Sequence, residues 1–180
     1  MLLHWLSLPL IAAALAIGWW AEHAASGAFQ MRLYEIHFSL GLLALVATVA
    51  RLLWRCIDRR PATMAGLTVL QRLAASAVHG LLYLCLLAAL VSGTINFLFL
   101  GPVRVFGALW IPRLFDPEAD EPLRALAWYV HHYSWPLLLF LVCLHAAAAL
   151  HHHFVRRDRL LADFWPGRGV GADVRDAARE

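Results

Sequence analysis

The stretch VHHYSWPLLLFLVCLHAAAALHHHFVRR, residues 130–157, decides the fold. From Tyr133 to Leu150 it contains no Asp, Glu, Lys or Arg. Crossing the hydrocarbon core of a bilayer takes about 20 apolar residues of helix. The apolar character goes all the way round, which fits neither a surface helix nor the alternating pieces of a membrane barrel. Three further stretches read the same way, so the chain divides into helices at about 2–20, 36–54, 78–100 and 132–152. The fold class is an all-α membrane protein, a four-helix transmembrane bundle over residues 1–162. Residues 163–180 have no apolar periodicity and read as a cytoplasmic tail.

Composition agrees. Of 180 residues, 62% are apolar and 15% charged, with a mean hydropathy of +0.65. A soluble domain has about 45–50% and about 25% respectively. Disordered, collagenous and disulfide-stapled classes are excluded as well. The three cysteines form neither a CxxC pair nor a CxxCH haem-attachment signature. All fifteen basic residues are Arg, and the formal charge is +3. Their placement is a topology signal, not a nucleic-acid signal. Arg51, Arg55, Arg59, Arg60 and Arg72 fall between the second and third spans, and six more follow the fourth. In the two other loops, acidic residues offset the Arg. Positive residues stay inside, which puts both termini of this multi-pass protein in the cytoplasm. Residues 1–28 have a signal-peptide rival reading, but a positive n-region is missing and the apolar run is too long. The sequence shows no internal repeat.

Ten histidines need explaining. Ionisable groups in a bilayer are costly and usually face the bundle interior with a partner. A single His bonding a carbonyl across helices is the ordinary explanation, and recurrence on one face weakens it. His131 and His145 are 14 residues apart, within about 40° of the same direction and about 21 Å apart along a helix. Depth then pairs residues across helices. His37, at the outer end of the second helix, is level with His131. His4, about 24 Å below the outer end of the first helix, matches His145. Two imidazoles from facing helices suit a six-coordinate haem iron, and an apolar four-helix interior suits the macrocycle. Zinc wants a tetrahedral cluster around one ion, which pairs about 20 Å apart do not make. Arg51 lies 14 residues below His37 and reads either as a haem propionate partner or as a snorkelling Arg. His79 and His152 read as propionate or quinone contacts, against the plainer reading of interfacial histidines.

These residues resemble the bacterial cytochrome b561 family, related to the b-type cytochrome subunits of nickel-iron hydrogenases. The resemblance is carried by His4-Trp5, IHFSLGLLALVATVARLLWR at 36–55, HGLLYLCLLAALVSG at 79–93 and VFGALWIPRLF at 105–115. The segment from 130 to 167 carries it furthest. His132 stands where the family frequently has an acidic residue, which leaves His131 and His132 competing as outer ligand. The 14-residue spacing favours His131. The resemblance implies a bacterial inner-membrane protein with two non-covalent haems b and iron ligands His4, His37, His131 and His145. It also implies electron exchange with membrane quinone and with an outer-side donor, superoxide in some relatives. Bis-His ligation leaves no open position for oxygen. Two alternatives stand beside this oxidoreductase: a haem-b anchor subunit of a hydrogenase or dehydrogenase, and a His-rich metal-binding or transport protein. The oligomeric state is not written in the sequence.

Overall fold

The computed structural model describes residues 2–57 and 68–156. The expected tail at 163–180 lies outside them. Four long helices follow one another: α1 (Leu2–His23), α2 (Ala28–Ile57), α3 (Val69–Leu100) and α4 (Glu121–His151). A π-helical turn, His152–Arg156, extends α4. All four are long and apolar enough to cross a membrane. The chain is therefore a multi-pass membrane helical bundle.

The helices exceed the apolar spans. We expected α2, α3 and α4 to begin near 36, 78 and 132, and they begin at Ala28, Val69 and Glu121. Hydropathy detects only the lipid-deep part of a helix, and each helix continues through polar residues such as Gln30, Arg32, Gln71 and Arg124. The start of α3 is marked by Thr68. Its hydroxyl accepts from Gln71 N while the Gln71 side chain accepts from Thr68 N, a reciprocal capping box.

Between α3 and α4 runs an antiparallel hairpin, β1 (Val103–Val105) and β2 (Leu109–Ile111), which the apolar pattern does not reveal. Its turn carries two left-handed residues, Phe106 at φ 49° and Gly107 at φ 72°, and Ala108 N donates to Val105 O. Such a turn matches the twist of paired strands. Val103 and Val105 bury against Phe38 and Phe97, and Phe106 N donates to Ser39 Oγ at 2.8 Å. The hairpin therefore caps the end of the bundle opposite the termini.

Within the bundle, α1 packs on α2 and α3 on α4, and α2 against α3 joins the halves. Small side chains fill the inside, among them Ala14, Ala44, Ala89, Ser39 and Thr48. Large apolar ones such as Leu84, Val46 and Phe140 face outward. This arrangement suits lipid, because helices associate there by close backbone approach and not by hiding leucine from the solvent. Buried hydroxyls return to their own helix: Ser7 to Leu3 O, Ser39 to Glu35 O and Ser92 to Ala88 O.

Candidate haem site

Two tiers of histidine occupy the space between the helices. In the tier near the hairpin, the rings of His37 on α2 and His131 on α4 have centroids 6.0 Å apart and planes crossed at 78°. Both line an apolar cleft together with Leu15, Phe38, Leu90 and Trp135.

Each ring is held from behind. His37 Nδ1 lies 2.8 Å from Ala14 O on α1, and His131 Nδ1 lies 2.8 Å from Ala89 O on α3. A carbonyl only accepts, so each Nδ1 carries the hydrogen and each Nε2 keeps its lone pair. A metal-binding histidine is oriented by this same kind of support. His132 is placed differently, stacked on Trp128 with centroids 4.7 Å apart and planes 8° from parallel.

The second tier lies toward the termini. His4 on α1 and His145 on α4 have centroids 6.5 Å apart at 85°. His79 on α3 also reaches this tier, 5.0 Å from His145, with its Nδ1 2.7 Å from Ala75 O of its own helix. Spacing separates these contacts. A metal sits about 2 Å from an imidazole nitrogen, and about 1 Å more reaches the ring centre. Two axial rings therefore stand roughly 6 Å apart. The His37–His131 and His4–His145 distances fit that span, and His79–His145 is shorter.

Arg51 is half-buried on α2, with its guanidinium carbon 5.4 Å from the Tyr83 ring centroid. It is near enough for its charge to act on His4 and His145. A cation in that place suits a propionate. His152 stands on the π-helical turn beyond α4, 6.0 Å from His151. Among the described residues, no group of three His, Cys, Asp or Glu converges as a metal cluster.

Sequence reasoning missed the residues behind the rings. A Cβ added at Gly18 would meet His37 Cε1 at 2.6 Å, and one added at Gly93 would meet His131 Cε1 at 2.8 Å. A signal was there. Ala14 and Gly18 follow His4 by ten and fourteen residues, as Ala89 and Gly93 follow His79. On the other helix of each half, Arg51 follows His37 by fourteen residues as His145 follows His131. The α1–α2 and α3–α4 halves thus share these spacings, although the intervening side chains differ.

Comparisons with known proteins converge on one lineage. A profile of the prokaryotic cytochrome b561 family matches residues 1–167. Cytochrome b561 homolog 2 of Escherichia coli K12 is 33% identical over 162 residues, covering 88% of this chain and 84% of that protein. Cytochrome b561 homolog 1 of the same organism is 28% identical over 169 residues, covering 92% and 94%. A probable superoxide oxidase CybB of Yersinia pestis is 31% identical over 175 residues, covering 91% and 92%. The paired histidines inside an apolar bundle, and a match over nearly the whole chain, have one conclusion: this protein belongs to the prokaryotic cytochrome b561 family, membrane b-type cytochromes that carry haem.

Proposed function

We propose that the chain binds two haems b and moves electrons across the bacterial inner membrane between an outer-side donor and membrane quinone. Both termini then face the cytoplasm, residues 1–162 form the di-haem domain and 163–180 its tail. The observation that carries this reading is the pair of cross-helix imidazole couples, spaced 6.0 and 6.5 Å between centroids. His37 and His131 would hold the outer haem, and His4 and His145 the inner one. The haem, when bound, supplies one-electron redox chemistry that the side chains lack.

The chain's own residues do the rest. The carbonyls of Ala14 and Ala89 fix the Nδ1 hydrogens and direct both Nε2 lone pairs inward. If the four histidines take the iron positions, none would stay open to oxygen, and the chemistry supplied would be electron transfer and not oxygen binding. Arg51 compensates a propionate charge where burial makes an unpaired carboxylate costly. His79 faces the same tier, and because its Nδ1 hydrogen goes to Ala75 O, its Nε2 accepts, as from a quinol hydroxyl or a protonated propionate. On the outer face, Arg104 lies over the Trp110 ring at 4.3 Å, a cation held at the protein surface near the outer tier. An anionic donor such as superoxide is drawn to such a charge, and the Yersinia relative is named a probable superoxide oxidase.

A reduced-minus-oxidised absorption spectrum of the purified protein tests the haem reading. A Soret band with α-band changes on dithionite is expected, and a colourless protein containing zinc contradicts it. Quinone reduction driven by superoxide, and haem reduction by quinol, then separate the directions of transfer. If the pure haem protein reacts with neither and works only with a copurifying dehydrogenase, the anchor-subunit reading replaces this one.

A further inference from the structure

We propose that Gly18 and Gly93 are positioning residues for the outer haem. Each, with the carbonyl of the alanine four residues before it, forms a seat that fixes the plane and nitrogen direction of one axial imidazole. The two seats hold those planes crosswise. This deepens the haem reading of that tier and rests on it.

The two seats are built alike from different helices. On α1, Ala14 O takes the Nδ1 hydrogen of His37 and Gly18 gives the ring its room. On α3, Ala89 O and Gly93 do the same for His131. An added Cβ would stand 2.7 Å from His37 Nδ1 at position 18 and 2.9 Å from His131 Nδ1 at position 93. Neither ring can yield to it and keep its geometry. Turning away breaks the bond to the alanine carbonyl, and sliding away moves Nε2 off its line into the cavity. Gly80 on α3 differs, since a Cβ there meets nothing within 4 Å. Glycine inside a helix is less stable than alanine, so its use beneath both rings is accounted for by the close approach.

Ligand orientation is read by spectroscopy that a merely structural defect would not move selectively. Crossed imidazole planes leave the iron d orbitals nearly degenerate and give a highly anisotropic low-spin resonance, whereas parallel planes give an ordinary rhombic one. The component lost in His37→Ala marks the outer haem. Low-temperature EPR and a potentiometric titration are run on wild type, Gly18→Ala, Gly93→Ala and the control Gly80→Ala. In wild type the outer component is expected to be the highly anisotropic kind. In Gly18→Ala and Gly93→Ala it moves toward the rhombic form with a shifted midpoint potential, or that haem alone is lost. The inner haem and Gly80→Ala stay as they are. Unchanged line shape and potential in both variants, in protein holding both haems, overturns the seats and leaves the haem reading standing. A rhombic outer signal in wild type overturns the crossed planes even where the variants fail to accumulate. Protein without any haem spectrum overturns the haem reading and the seats together.

Discussion

A buried histidine in a membrane is interpretable only with its second nitrogen. Position on a helix face is legible from spacing, which is why His131 and His145 stand out in the sequence. The carbonyl behind a ring is not legible, because it belongs to another helix and helical periodicity carries no information about that partner. Hence Ala14, Gly18, Ala89 and Gly93 emerge only from the fold, although their equal distances from His4 and His79 were visible. Arg51 gives a prediction at this scale. It lies over Tyr83 and faces the inner tier. Removing a cation near an electron carrier favours the carrier's more positive, oxidised form. Arg51→Gln is therefore expected to lower the inner haem's midpoint potential, on the order of tens of millivolts for partly screened charges, with the outer haem unmoved in the same titration. Equal shifts in both haems would remove Arg51 from the inner site.

At the scale of elements, apolar runs located every helix and misplaced three starts. Lipid selects the apolar part, and capping chemistry in water sets the end. Thr68 with Gln71 is a readable signal of this kind, and Thr68→Ala is expected to cost about 1 kcal/mol at the start of α3. Faster amide exchange in its first turn would show it. The hairpin escaped because its strands have three residues each and its turn has Phe106, not Asn or Asp, before Gly107. Ser39→Ala removes the acceptor of Phe106 N, a loss of about 1 kcal/mol. It should expose the turn to limited proteolysis while leaving the helices intact. Before α4, Asp116 Oδ1 accepts from Glu118 N at 2.8 Å and Ala119 N at 3.1 Å. The Ala119 bond, then the Glu118 bond, holds the exposed Asp116 carboxyl below its ordinary pKa. A carboxyl with a lowered folded pKa stabilises above its unfolded value and loses that contribution as pH falls through the folded one. Protection of the Glu118 and Ala119 amides, taken relative to their intrinsic exchange rates, is therefore expected to fall only under acid conditions below the usual carboxylate range. Asp116→Ala should lower that protection at neutral pH.

Over the whole molecule, the same bundle satisfies two demands. Its outside is apolar, with Leu84 65% and Phe140 64% exposed, and its inside holds titratable rings at two depths. The four-helix architecture was legible from composition and run length alone, because a membrane leaves few alternatives to helices. What the sequence left between His131 and His132 is a matter of orientation: His131 faces the cavity and His132 stacks on Trp128. The central claim is that two separate imidazole pairs hold two haems. Haem per chain, measured on purified wild type, His37→Ala and His145→Ala, tests it most directly. The account predicts two in wild type and one in each variant, with the His37→Ala protein keeping a haem whose spectrum differs from the one kept by His145→Ala. One haem in wild type, or the same residual haem in both variants, would contradict it.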